Sequence, residues 1–197
     1  MTALPKKRYT PEEYLAIDRQ APFKREYYAG EIFAMAGASE EHNIIALNVA
    51  TELRSRLRGG PCRPFAADIR VRVGPADLDA YPDVVVVCGE RRYADEQRDV
   101  LLNPTVIIEV LSPGTEDYDR GDKFTGYRYL DSLQEYLLVA QDRPHVEHYT
   151  RQPDGRWLLS EAAHLEAVIH LPSLAADLAL SEVYADVNFE AGAEADR

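Results

Sequence analysis

Two stretches of this chain are apolar at nearly every position: Val84-Val85-Val86-Val87-Cys88, and Thr105 to Leu111, where only Glu109 interrupts the run. Continuous β-branched runs of this length predict strands covered on both faces. Glu135 to Ala140 predicts a third. Elsewhere the apolar period is four. Ile45, Val49, Leu53 and Leu57 make the buried stripe of a helix that Ser39 can cap and Gly59-Gly60-Pro61 stops. A shorter helix is predicted from Pro11 to about Asp18. Thr10 can cap it, Pro11 suits its first position, and Glu13 can reach back to close a capping box. Glu26 to Met35 reads as a hairpin turning at Ala29-Gly30. Ile69, Val71 and Val73 alternate with Asp68, Arg70 and Arg72, the pattern of a half-buried strand. Gly74 to Ala80 reads as a polar loop and Asp117 to Asp131 as a third helix, with Lys123, Tyr127 and Leu130 on one side. His145 to Thr150 and Arg156 to Ser160 form a closing hairpin about Pro153-Asp154-Gly155. The order helix, strands, helix, strands, helix, strands predicts an α/β fold in which a mixed central β-sheet is flanked by α-helices. No repeat or linker divides the chain. Residues 1–197 are therefore expected to form a single domain, with a core over about 9–172 and a C-terminal tail over 173–197 that frays from Glu190.

Composition bounds this picture without redirecting it. The chain has 197 residues, 46% hydrophobic and 28% charged, enough to bury a sizeable core. No apolar run is long enough to cross a bilayer, and Lys6, Lys7 and Arg8 have no apolar segment behind them, so the expected location is cytoplasmic. The two cysteines, Cys62 and Cys88, have no metal-ligand spacing; Cys88 is expected as a buried thiol. A net charge of −12 argues against a protein that coats DNA non-specifically, but it is compatible with a nuclease, whose metal site needs carboxylates.

Glu109 is the position that most needs an explanation. Its sequence neighbours are all apolar, and a buried unpaired carboxylate costs several kcal/mol or becomes protonated. A hard divalent cation such as Mg²⁺ is one partner that would satisfy it. Asp83 stands at the head of Val84–Val87, so if the two strands are neighbours both carboxylates can meet over one face. Lys123 on the following helix can bring a cation to the same point. Asp68 could add a ligand, and Glu26 could support the site from the first hairpin. Each has a plainer reading as well. Asp83 suits a turn entering a strand, Glu109 could pair with an arginine, and Lys123 could be a solvated helix lysine. Asp68 could belong to a surface charge ladder with Arg70 and Arg72, Glu26 could be structural, and His42 could cap a helix or lie on the surface.

Tyr81-Pro82-Asp83-Val84, then Ile108-Glu109-Val110-Leu111-Ser112-Pro113, then Asp119 with Lys123 and Tyr127, then Glu135-Tyr136-Leu137, resemble the Uma2 family, also called DUF820, of the PD-(D/E)XK nuclease superfamily. The likeness runs from about Tyr9 to Thr150 and takes in the opening helix, the Glu26 hairpin and His42. It implies a restriction-endonuclease-like core. It also implies that Asp83 and Glu109 bind Mg²⁺ or Mn²⁺. The superfamily's lysine would fall at Leu111, so the resemblance assigns that role to Lys123 on the helix. Asp68 and Glu26 fall where the family tends to carry acids.

The function expected is divalent-metal-dependent hydrolysis of a nucleic-acid phosphodiester, DNA in the first instance, with no membrane partner. A homodimer fits an enzyme that must cut two strands, although no segment marks an interface. Two alternatives stay open. One is a catalytically inactive module that keeps the fold for binding or assembly. The other is a metal-dependent hydrolase of a smaller phosphate ester.

Overall fold

The protein is described by a computed structural model over residues 7–35, 37–66 and 68–189. The tail expected from Glu190 onward lies outside the described residues. Among those residues the strands fall into three sheets, and the largest carries the predicted apolar runs at its centre. Its six strands lie in the order β11 (Trp157–Ala163), β10 (His145–Arg151), β9 (Glu135–Ala140), β8 (Val106–Leu111), β6 (Val84–Cys88), β3 (Cys62–Ala66). Only β8 and β9 run parallel; the other neighbours are antiparallel. Every residue of β8 and β9 is buried, as strands sandwiched between two layers must be.

One face of this sheet packs on α2 (Glu40–Arg56), whose buried stripe Ile45, Val49 and Leu53 meets Val84, Val86, Ile108 and Val110. The other face packs on a second sheet, ordered β2 (Glu31–Ala34), β1 (Arg25–Tyr28), β5 (Leu78–Ala80), β4 (Arg70–Val73), β7 (Val100–Leu101), and on the helical segment after β8. The mixed α/β core is as expected. What the hydrophobic pattern did not disclose is that part of the second covering layer is itself a sheet.

The opening helix α1 (Pro11–Asp18) has the predicted capping box: Glu13 N donates to Thr10 Oγ1 (3.2 Å) and Thr10 N to Glu13 Oε2 (2.9 Å). The first hairpin turns through Ala29 (φ 50°) and Gly30 (φ 85°), two left-handed residues that a two-residue turn requires.

Four expectations are corrected. The polar loop over 74–80 contains β5, because Asp79 accepts two-pronged bonds from its cross-strand partner Arg72 and leaves Leu78 and Ala80 free to face the core. The strand at Arg70–Val73 is covered on both sides rather than half-buried, since Arg70 is paired with Asp18 and Asp99. Cys62 and Cys88 are register partners on β3 and β6 and form a disulfide, so Cys88 is not a free thiol. Finally, the chain beyond residue 172 is not an appendage. Leu174, Ala176, Leu178, Leu180, Val183 and Tyr184 belong to the same cluster as Ile45 and Val49. They come from β13 (Ala176–Ala179), which pairs with β12 (Val168–Leu171), and from the short α5 (Leu180–Val183) and its flanks. Asn48 of α2 fastens this segment by donating to Val183 O (3.1 Å) and Ala185 O (2.8 Å).

Candidate active site

The register of β6 on β8 pairs Val84 with Ile108, so one step further on Asp83 faces Glu109. Cross-strand neighbours share a face, here the one turned toward the smaller sheet. Asp83 N lies 3.4 Å from Glu109 Oε2, and Asp83 Oδ2 accepts from Val110 N at 2.8 Å. Adjacency of the two strands, which the sequence could only suppose, is therefore real. Asp83 stays half-open to solvent while Glu109 is 2% exposed.

The third predicted member arrives from the segment after β8. This segment forms α3 (Glu116–Tyr118), a π-helical turn over Asp119–Lys123, and α4 (Phe124–Tyr127). A π turn has more residues per turn than an α turn, and such turns cluster at functional sites. It holds Asp119, Lys123 and Tyr127, spaced four apart, on the buried side. Lys123 Nζ sits 3.0 Å from Glu109 Oε1, 3.2 Å from Glu26 Oε1 and 3.2 Å from Asp119 Oδ1. Tyr127 donates to Glu109 Oε1 at 3.0 Å. Glu26, on β1, also accepts from Tyr81 N at 2.9 Å, which ties the smaller sheet to the residue before Pro82.

Charge at this point is unbalanced. Glu26, Glu109 and Asp119 converge on one ammonium group, and Asp83 lies beside Glu109. Burial pushes the Glu109 carboxyl well above its ordinary range; Lys123 offsets part of this, and weaker repulsion from Asp119, Asp83 and Glu26 adds to it. Burial acting alone would lower Lys123, yet Glu109 and Glu26 hold it well above the usual lysine value. Asp119 Oδ1 is buried and has no hydrogen bond, although Lys123 Nζ lies 3.2 Å away; it is held by charge and not by a directed bond. An excess of buried carboxylate oxygens with one of them unbonded is a set of donors suited to a hard divalent cation. Among the described residues no group of three His, Cys, Asp or Glu is already arranged as a metal cage, and Lys123 occupies the space between Glu26, Glu109 and Asp119.

A family model described as "Putative restriction endonuclease", Uma2, matches residues 11–182. The chain belongs to the Uma2 family. Two relatives from Synechocystis sp. accompany that match: "Uncharacterized protein slr1290", 33% identical over 91% of this chain and 93% of its own, and "Uncharacterized protein sll1609", 38% identical over 77% and 86%. A solved structure described as a "putative nuclease belonging to DUF820" from Anabaena variabilis superposes with a TM-score of 0.74. It covers 89% of this chain and 97% of its own, at 21% identity, which speaks to the fold.

In this Uma2 chain, then, Asp83, Glu109 and Lys123 are brought together, and Glu26 joins them as a direct partner of Lys123. Asp68 does not. Its side chain is 81% exposed and pairs with Lys24 (2.7 Å). The reason is topological: β4, which follows Asp68, lies in the smaller sheet, and the neighbours of β6 are β3 and β8. Three residues that meet this cluster, Tyr127, Asp119 and His42, went unselected by sequence reasoning. Asp119 carried a usable signal, its place four residues before Lys123 and two such steps before Tyr127. His42, taken as a cap or a surface residue, carried none outside the family resemblance. Its Nε2 lies 2.9 Å from Asp83 Oδ1, a contact made 41 residues away along the chain.

Among the described residues no helix is long and apolar enough to cross a membrane.

Proposed function

We propose that this Uma2 chain is a divalent-metal-dependent endonuclease that hydrolyses nucleic-acid phosphodiesters, with DNA as the substrate and Mg²⁺ or Mn²⁺ as the ion. The observation that carries the reading is the placing of Asp83 opposite Glu109 on adjacent strands, with Lys123 Nζ 3.0 Å from Glu109.

Asp83 and Glu109 would hold the ion through carboxylate oxygens, Asp83 from the solvent side and Glu109 from within. Bound there, the ion would supply Lewis acidity toward a phosphoryl oxygen and a lowered pKa for an attacking water. Lys123 adds positive charge beside the same carboxylates, where it offsets charge developing on the phosphate or orients the water. Glu26 and Asp119 help hold Lys123 in place, and Glu109 followed by Glu26 keeps it protonated. Tyr127 fixes Glu109 by its hydrogen bond. Hydrolysis forms a bond from water oxygen to phosphorus and breaks one phosphorus–sugar-oxygen bond; the leaving oxygen gains a proton. A duplex needs two such cuts, so the proposal includes a homodimer.

The test is nicking of supercoiled plasmid with Mg²⁺, Mn²⁺ or chelator. Cleavage is expected with either ion, and Asp83→Ala and Glu109→Ala should reduce it to the chelator level. Undiminished cleavage by both variants would overturn the assignment. One observation favours a second reading, a binding module without catalysis: Lys123 is already engaged by three carboxylates, and Leu111 stands where the superfamily has its lysine. That reading predicts no Mn²⁺-dependent gain in melting temperature.

A further inference from the structure

We infer that His42 is a positioning residue for the proposed metal site, its ring N–H locking the carboxylate of Asp83. The inference rests on the metal-nuclease reading and extends it to a residue of a different layer.

His42 is the third residue of α2, whose first turn is fixed by its cap: Ser39 Oγ accepts from His42 N at 3.2 Å. From there the ring reaches over the end of β6, and Nε2 lies 2.9 Å from Asp83 Oδ1. The other oxygen, Oδ2, is taken by Val110 N at 2.8 Å. An aspartate carboxylate turns easily about its last torsion. Donors on both oxygens, one from a helix and one from a strand, remove that freedom. Each oxygen keeps a second lone pair for a cation. The contact needs only a proton on Nε2, which both the neutral ring and the imidazolium can provide.

A ring kept merely to anchor α2 would be expected to satisfy both nitrogens. Here Nδ1 is buried with no hydrogen-bond partner, so among the described residues the ring's side-chain bonding is directed to Asp83. Partners that orient metal-ligating carboxylates contribute about 10- to 100-fold to metal affinity.

The experiment is Mn²⁺ binding by isothermal titration to wild type, His42→Ala, His42→Gln and Asp83→Ala, with circular dichroism of each metal-free protein as a check on folding. Glutamine is the informative replacement, because its amide N–H can reach the place of Nε2 without a ring. His42→Ala should weaken Kd for Mn²⁺ by about 10- to 100-fold. His42→Gln should recover most of that loss, and Asp83→Ala should abolish binding. If Asp83→Ala abolishes binding but His42→Ala binds as wild type does, the positioning role falls and the metal site stands. If His42→Gln binds as weakly as His42→Ala, the donor role falls. If wild type binds no Mn²⁺, or Asp83→Ala leaves binding unchanged, the metal reading falls and takes the inference with it.

Discussion

Glu109 was conspicuous in the sequence because a carboxylate among five apolar neighbours has few ways to be stable. The structure gives it three partners, Lys123, Tyr127 and the backbone N–H of Asp83, and three acidic neighbours whose repulsion, added to burial, favours the protonated form. The sign of the pH effect follows. The folded value lies well above 4.5, so this group's contribution to stability is fully present below about pH 4.5 and is lost as pH rises through the folded value. Glu109→Gln keeps the shape and has no such loss. In chelator, urea unfolding of the two proteins from pH 4 upward should show Gln gaining on wild type as pH rises. Parallel curves would mean that the carboxyl ionises as freely folded as unfolded. At this scale the sequence also singled out Asp83 and Lys123, which do converge, and Asp68, which does not. Whether an acid at a strand edge faces a site or water depends on which strand lies beside it, and spacing along the chain does not record that.

Elements were legible where one local signal dominated. The capping box of α1, the four-residue stripe of α2, the Ala29-Gly30 turn and the apolar runs of β6, β8 and β9 all formed as their patterns predicted. Elements whose stability comes from a partner on another element were missed. β5 reads as polar because Asp79 does, until Arg72 is found opposite it. The C-terminal hairpin and α5 were read as a tail because they are short, yet they close the apolar face of α2. Leu180 is fully buried there. Leu180→Ala is therefore expected to cost about 2–5 kcal/mol in urea unfolding, the range for a buried leucine. A tail residue would change stability by no more than about 0.5 kcal/mol, and that result would remove the segment from the core.

At the scale of the molecule, the acids lie between the two sheets and the helical segment after β8, with His42 of α2 reaching Asp83 from the sheet's end, and the disulfide joins the edge strand β3 to β6, the strand that Asp83 leads. Cys62 and Cys88 are 26 residues apart. Closing a loop of that size removes unfolded-state entropy worth about 3–4 kcal/mol. Reductant should lower the melting temperature of wild type and leave a Cys62→Ser/Cys88→Ser variant unaffected; an unchanged wild-type melt, with two thiols titratable before reduction, would refute the bridge. By itself the sequence determined the buried strands, the two longer helices and the acids that need partners, because hydrophobic period and caps act over a few residues. Only the tertiary structure decided that β6 lies beside β8 while β4 does not, that Cys62 faces Cys88, and that Glu26, Asp119 and His42 reach the same centre. Those outcomes depend on pairing between segments well separated along the chain, 26 residues for Cys62 with Cys88 and 41 for His42 with Asp83, where the local pattern permits several partners and the packed, charge-compensated arrangement selects one.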